Sequence, residues 1–311
     1  MLSLLLAQKI LQLLIIMGFG FAAVRLKLLK SEDSMVLSKI CLYVIVPCMI
    51  LNIFQVDLSP EILSGFKVAY IGVALLHVAA ILVGMVFRKV FHADVVEEMS
   101  VVYPNAGNLI VPLISYVLGE EWLLYSTAYM TFQTVFFWTH CVHAFSGEKK
   151  FHLKKILLNV NIISIFVGII MMITGLRLPA ILDGVTGSVG DMLGPVSMLV
   201  SGMLAANLKL KEVLKRKRIF LVFAFKMVVA AFVALFILKG VGYLAGSAAT
   251  VDLDRVLLVP FLAAIAPSAS TIVQFSQVYH KDAQYASSIN ILTLIGCIIT
   301  MPLFVYLYEL F

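Results

Sequence analysis

Two short runs place hydrogen-bonding side chains in the middle of apolar sequence. The first is Tyr103-Pro104-Asn105-Ala106-Gly107-Asn108-Leu109-Ile110-Val111-Pro112, inside an apolar segment from about Val95 to Leu118. The second is Pro260-Phe261-Leu262-Ala263-Ala264-Ile265-Ala266-Pro267-Ser268-Ala269-Ser270-Thr271, with Gln274 one turn further on. The chemistry on offer is that of neutral donors and acceptors: the amides of Asn105, Asn108 and Gln274, and the hydroxyls of Ser268, Ser270 and Thr271. Backbone groups released by Gly107, Pro112 and Pro267 add to it. Groups of this kind bind and orient a solute.

A helix from Val95 to Leu118 covers about 36 Å at about 1.5 Å per residue, enough to cross a hydrocarbon core of about 30 Å. The first run therefore falls at mid-membrane. Proline removes a backbone donor and clashes with the preceding turn, and glycine loosens the helix further. Unwound, polar backbone survives at that depth only where protein buries it or where it lines a wet cavity. This is the pattern of a broken transporter helix.

The composition sets the solvent. The chain has 311 residues, 62% of them hydrophobic and 13% charged, with a mean hydropathy of +1.06. Soluble domains carry about 45–50% apolar and about 25% charged residues. The chain reads as an all-α integral membrane protein, since barrel strands would show weak alternation in place of continuous apolar runs. The net charge of +6 does not point to nucleic acid, because the charges punctuate the apolar runs. The N-terminal run precedes its basic residues (Arg25, Lys27, Lys30) and is long, so it reads as a retained first span. Cys41, Cys48, Cys141 and Cys297 fall within spans, form no Cys-x-x-Cys pair and read as packing residues.

Ten spans are expected: about Leu4–Val24, Val36–Gln55, Phe66–Phe87, Val95–Leu118, Trp122–Phe145, Ile156–Thr174, Val189–Asn207, Ile219–Gly246, Asp254–Gln277 and Ala283–Leu310. Seventeen of the 23 lysines and arginines cluster at the loops after spans 1, 3, 5, 7 and 9. The positive-inside rule makes that side cytoplasmic, with both termini outside. The halves 1–155 and 156–311 also resemble one another. Pro47 matches Pro195 at an offset of 148, Pro104 matches Pro260 at 156, and Pro112 matches Pro267 at 155. With only 9 prolines in the chain, three matched pairs argue for a repeat. Five spans is an odd number, so the second repeat is inverted, as in many secondary transporters. Broken spans 4 and 9 would then cross at mid-membrane, with Pro112 and Pro267 opening the second half of each, as proline is tolerated in a first turn.

The runs Asn105-Ala106-Gly107-Asn108-Leu109-Ile110-Val111-Pro112-Leu113 and Ala266-Pro267-Ser268-Ala269-Ser270, with Tyr279 and Ala286-Ser287, resemble the auxin efflux carrier family. That family includes bacterial malate and malonate permease-like members and plant auxin exporters. The likeness extends to Val46-Pro47 and covers essentially the whole chain. Asn108 and Ile110 depart from it, where an apolar residue and glycine are usual. The short stretch after span 5 resembles bacterial members, as plant exporters carry a long loop there. The resemblance implies a bile-acid-symporter-like architecture. It also implies a scaffold of spans 1, 2, 6 and 7, a transport domain of spans 3–5 and 8–10, and a homodimer in the cytoplasmic membrane.

Other polar residues also lie inside spans. Asn52, Ser197 and Ser201 flank the matched prolines of spans 2 and 7 and could face the site across the domain boundary. Gln133 and Thr134 read as helix-to-helix glue. Lys226, about seven residues from a basic end, reads as snorkelling, with a charge role as the alternative. His77 reads as a satisfied interior histidine, with proton carriage as the alternative. His140 and His143 read as interfacial, and Glu97 and Glu98 suit a helix N-terminus.

The function expected is secondary transport of a small organic anion, with no cofactor. A sodium-coupled symporter of the bile-acid type would need an acidic or amide-rich cation cage, and no Asp or Glu lies at the crossing. A membrane sensor would be expected to carry a signalling domain. An intramembrane enzyme would carry a zinc motif or a nucleophile elbow, and the sequence has neither. Sidedness is open to direct test. Single cysteines placed near Lys150 and Lys215 in a cysteine-free background should react only with membrane-permeant reagents in intact cells; labelling of both by an impermeant reagent would reverse the orientation.

Overall fold

The computed structural model describes residues 2–55, 60–106, 110, 114, 118–119, 122–147, 154, 157–158, 160–206, 216–246 and 252–311. Among these residues the chain is helical, and its one β-type contact is an isolated bridge. The helices are α1 (Leu2–Arg25), α2 (Ser31–Ile53), α3 (Pro60–Phe91), α4 (Val95–Val102), α5 (Leu123–Phe136, continued to Ser146), α6 (Val160–Thr174), α7 (Ala180–Gly190), α8 (Leu193–Ala205), α9 (Arg218–Ala245), α10 (Leu253–Ala264), α11 (Ser270–Val278) and α12 (Ala283–Leu310). Among the described residues, five stretches are long and apolar enough to cross a membrane: α2, most of α3, α7 with α8, α9 and α12. Shorter apolar helices cover Leu11–Arg25 and Val160–Thr174.

Helix packing falls into two sets. Along one, α1 lies against α8, and α2 packs on α6, α7 and α8. Gly20 and Gly202 permit the α1–α8 approach. A Cβ at Gly202 would run into the carbonyl oxygen of Met17, and one at Gly20 into that of Leu199. In the other set, α3 packs on α4, α5, α9 and α10, and α11 on α12. Helix α12 touches both sets through α1, α8 and α11.

Among the described residues, three wide π turns, at Cys41–Ile45 in α2, Phe137–Cys141 in α5 and Phe225–Val229 in α9, interrupt the regular ladder. Each adds a residue to a turn and re-aims the side chains around it, a device common at functional sites. At the first, the Leu42 carbonyl turns to accept a 3.0 Å bond from Asn161 of α6. Pro47 sits in the first turn of the segment that follows, so it starts a helical stretch and does not break one.

Helix α4 is short for a physical reason. Tyr103 precedes Pro104 and adopts φ −101°, ψ 118°, the extended conformation that a following proline imposes. Its start is pinned. Asp94 caps it and forms a reciprocal capping box with Glu97. The buried Glu97 carboxylate also accepts bonds from Arg218 at 2.6 and 2.8 Å and from the Tyr285 hydroxyl at 3.0 Å. The first turn of α4 is thereby tied to the starts of α9 and α12. Glu98 pairs with Arg88 at the end of α3, 3.0 Å away.

The second broken span also departs from expectation. Helix α10 stops at Ala264 and α11 starts at Ser270, so Pro267 lies in the linker and does not open the second half. The reason is visible in the backbone: the Pro267 carbonyl is taken up by a bond from another segment, which holds the linker extended. The span expected over Val189–Asn207 begins earlier, at Ala180, and turns at Asp191 and Met192 between α7 and α8.

Candidate functional site

The two non-helical stretches meet as a short antiparallel bridge. Asn105 N–H donates to the Pro267 carbonyl at 2.7 Å, and Ala269 N–H donates to the Tyr103 carbonyl at 2.9 Å. Three further backbone groups there find side chains. Gln133 Nε2 donates to the Pro104 carbonyl at 2.8 Å. Ser268 N–H donates to Thr293 Oγ1 at 3.1 Å, and Asn290 Nδ2 donates to the Ser268 carbonyl at 2.7 Å. Buried backbone polar groups must be paired, and α5 and α12 supply the partners that the helices cannot.

Beside the bridge lies a cavity of about 40 Å³. One wall is polar, made of Pro104, Asn105, Gln133, Thr134, Ala269 and Thr271; the other is apolar, with Leu42, Val46 and Met49 of α2, Leu193 of α8, and Met130, Phe137 and Trp138 of α5. Asn105 is buried, and its Nδ2 has no hydrogen-bond partner among the described residues; the same holds for Ser268 Oγ and Gln133 Oε1. The N-cap of α11 is Ala269, which has no side chain to cap the helix. Its first turn therefore brings backbone donors and about half a positive charge to the cavity edge.

The other expected site residues are distributed as follows. Gly107, Asn108 and Pro112 lie outside the described residues. Ser270 opens α11 and is buried. Gln274 Nε2 donates to Ser197 Oγ at 3.3 Å, joining α11 to α8. Ser201 is buried on α8, where its carbonyl accepts from Ser287 of α12 at 3.1 Å. Asn52 Nδ2 lies 3.3 Å from Asp183 Oδ1 on α7 and is not part of the cavity wall. His77 is buried in α3, with Nδ1 2.9 Å from the Val73 carbonyl and its ring stacked on Phe136 at 5.6 Å. Lys226 is buried inside the protein and does not snorkel.

Several residues play larger parts than the sequence suggested. Gln133 and Thr134 face the cavity, and Gln133 also holds the bridge. Asn290 and Thr293 fix Ser268 from both sides; the signal for them was two polar residues one turn apart inside the apolar tenth span. Gln277 bonds both Ser34 and Ser38 of α2, at 2.8 and 2.7 Å. His140 lies 2.8 Å from the Tyr103 hydroxyl, which donates to the Phe136 carbonyl at 3.1 Å. A far larger groove of about 1170 Å³ opens between α3 and the end of α5. Its lining includes the outward-facing Leu82, Met85 and Val86, and among its described lining residues His140 is the one bonded to Tyr103, so size does not make it the site. Among the described residues no three histidine, cysteine or carboxylate side chains gather as metal ligands.

The bridge yields a direct prediction. Thr293→Val keeps the shape of the side chain but leaves the Ser268 N–H buried without an acceptor, which should cost about 1–3 kcal/mol. A lowered melting temperature relative to Thr300→Val, on the same helix, is the expected outcome; equal melting would remove the bridge from the account of stability.

A family model described as membrane transport protein matches residues 5–153 and again 148–305. No curated protein matches the chain. The two matches span nearly the whole sequence, and with apolar helices of membrane-crossing length they make this a multi-pass membrane protein. The chain belongs to the membrane transport protein family, that of the auxin efflux carriers.

Proposed function

We propose that the protein is a secondary transporter that carries a small organic anion across the cytoplasmic membrane by alternating access. The carrying observation is the cavity beside the Asn105–Pro267 bridge. Its polar wall offers donors: Asn105 Nδ2, the Thr271 hydroxyl and the first turn of α11. A helix N-terminus favours an anion. Among the described residues no aspartate or glutamate lines the cavity to oppose one. The apolar wall suits the hydrocarbon part of a carboxylate better than a sugar, which would bury hydroxyls without partners.

The ten-span, inverted-repeat reading belongs to the same proposal. The two matched stretches divide the chain near the boundary of the proposed repeats, 1–155 and 156–311. The packing of α1, α2, α6, α7 and α8 against one another supports a scaffold, with α3, α4, α5, α9, α10, α11 and α12 as the moving body and spans 4 and 9 crossing at its centre. A cavity of about 40 Å³ holds only two or three waters. A carboxylate therefore enters when the α2–α8 wall parts from the bridge, which is the motion alternating access requires. A homodimer built on the scaffold completes the reading.

Electrogenic flux on a solid-supported membrane tests it, with carboxylates, amines and sugars compared at fixed salt. Carboxylate currents are expected, and Asn105→Ala should abolish them while the melting temperature holds. Currents for a cationic amine with none for any carboxylate would overturn the anion assignment.

A further inference from the structure

Lys226 stands in the wide turn Phe225–Val229 of α9 and is 1% exposed. Among the described residues no salt bridge reaches it: Glu97 pairs with Arg218 and Glu98 with Arg88. Among the described residues, the titratable groups beside it are His77, Tyr129 and Cys297, none of them a carboxylate. A buried ammonium is costly unless something of opposite sign faces it.

Two helix ends lie beside it. A cavity of about 20 Å³, room for about one water, opens beside Lys226, and its wall includes Val102 and Ala264. These are the last residues of α4 and α10. Two helix C-termini therefore end at one small space, each with about half a negative charge. Their carbonyls have also lost helical donors. The Ser100 carbonyl loses its donor because Pro104 has no N–H. The Val101 carbonyl loses its donor because Asn105 N–H turns to Pro267, and that of Ala264 because Ser268 N–H turns to Thr293. Half-helix carbonyls of this kind bind the coupling cation in transporters with broken helices. Here a lysine shares the space.

We propose that Lys226 is a built-in counter-cation: its ammonium takes the place of a dissociable cation at the C-terminal ends of α4 and α10 and holds the two broken helices together. The consequence for transport, anion movement that needs no sodium, rests on the transporter reading above; the electrostatic claim does not. The wide turn of α9 matters because it sets the lysine on the face that meets α3, α4 and α10 and away from the basic end of the helix.

The test is thermal unfolding of the purified full chain, followed by tryptophan fluorescence in choline, sodium and methylammonium chloride at equal ionic strength. Wild-type Tm should be the same in all three. Lys226→Ala opens space for a cation, so its Tm should fall in choline and recover, with saturation, on adding sodium or methylammonium. Lys226→Met keeps the volume without the charge. Its Tm should lie below wild type in every salt, with no recovery. A Lys226→Met protein as stable as wild type or more so would overturn the proposal, since removing an uncompensated buried charge stabilises. A Lys226→Ala protein that folds and is indifferent to every cation would overturn it too. If Lys226→Ala does not fold, the Lys226→Met melts decide. None of these readings requires transport, so an unidentified substrate leaves the result intact.

Discussion

Two backbone hydrogen bonds, Asn105 N–H to Pro267 and Ala269 N–H to Tyr103, hold the centre of this molecule. Prolines at 104 and 267 end the helical ladders of α4 and α10, which exposes polar backbone in the interior. Each broken stretch repairs the other. What the bridge leaves over is met by Gln133, Asn290 and Thr293, so α5 and α12 are recruited to the same point. The ion-paired Glu97 at the start of α4 and the glycine contacts of α1 with α8 then fix the surrounding helices around the bridge.

Pairing the backbone leaves side chains and helix ends unspent. Asn105 Nδ2 and Ser268 Oγ are buried without described partners, and α11 begins without a side-chain cap. These groups are donors or have hydrogen to give, and Asn105 and the start of α11 lie at the cavity. The C-terminal ends of α4 and α10 share a second small space with Lys226. The centre is thus electrically divided: helix N-terminus and amide toward the cavity that faces α2, helix C-termini and an ammonium toward α3 and α9. On the proposed reading, the first face meets the transported anion and the second needs no transported cation.

Much of this was legible in the residues. Pro104, Asn105 and Pro267 in mid-span announced both breaks, and Glu97 and Glu98 announced the start of α4. The limits were physical as well. Proline tells where a ladder fails, not where the next begins, and α11 starts three residues after Pro267 because the linker is held extended by a bond from a distant segment. Gln133, Asn290 and Thr293 look like ordinary polar residues of apolar helices until the partners they serve are in place. The sequence distance of Lys226 from a basic end suggested snorkelling. A π turn, which has no composition of its own, turned it inward. Gly107, Asn108 and Pro112 carry part of the expected site and fall outside the described residues.

The most direct measurement of the central claim is the position of a bound anion. A structure determined with a bromine-bearing carboxylate, read by the anomalous signal of the bromine, locates the ligand without reference to transport. The account predicts the carboxylate against Asn105, Thr271 and the first turn of α11, with the bromine toward Met49 and Trp138. Bromine signal confined to the groove between α3 and α5, with the cavity beside the bridge empty, would contradict it.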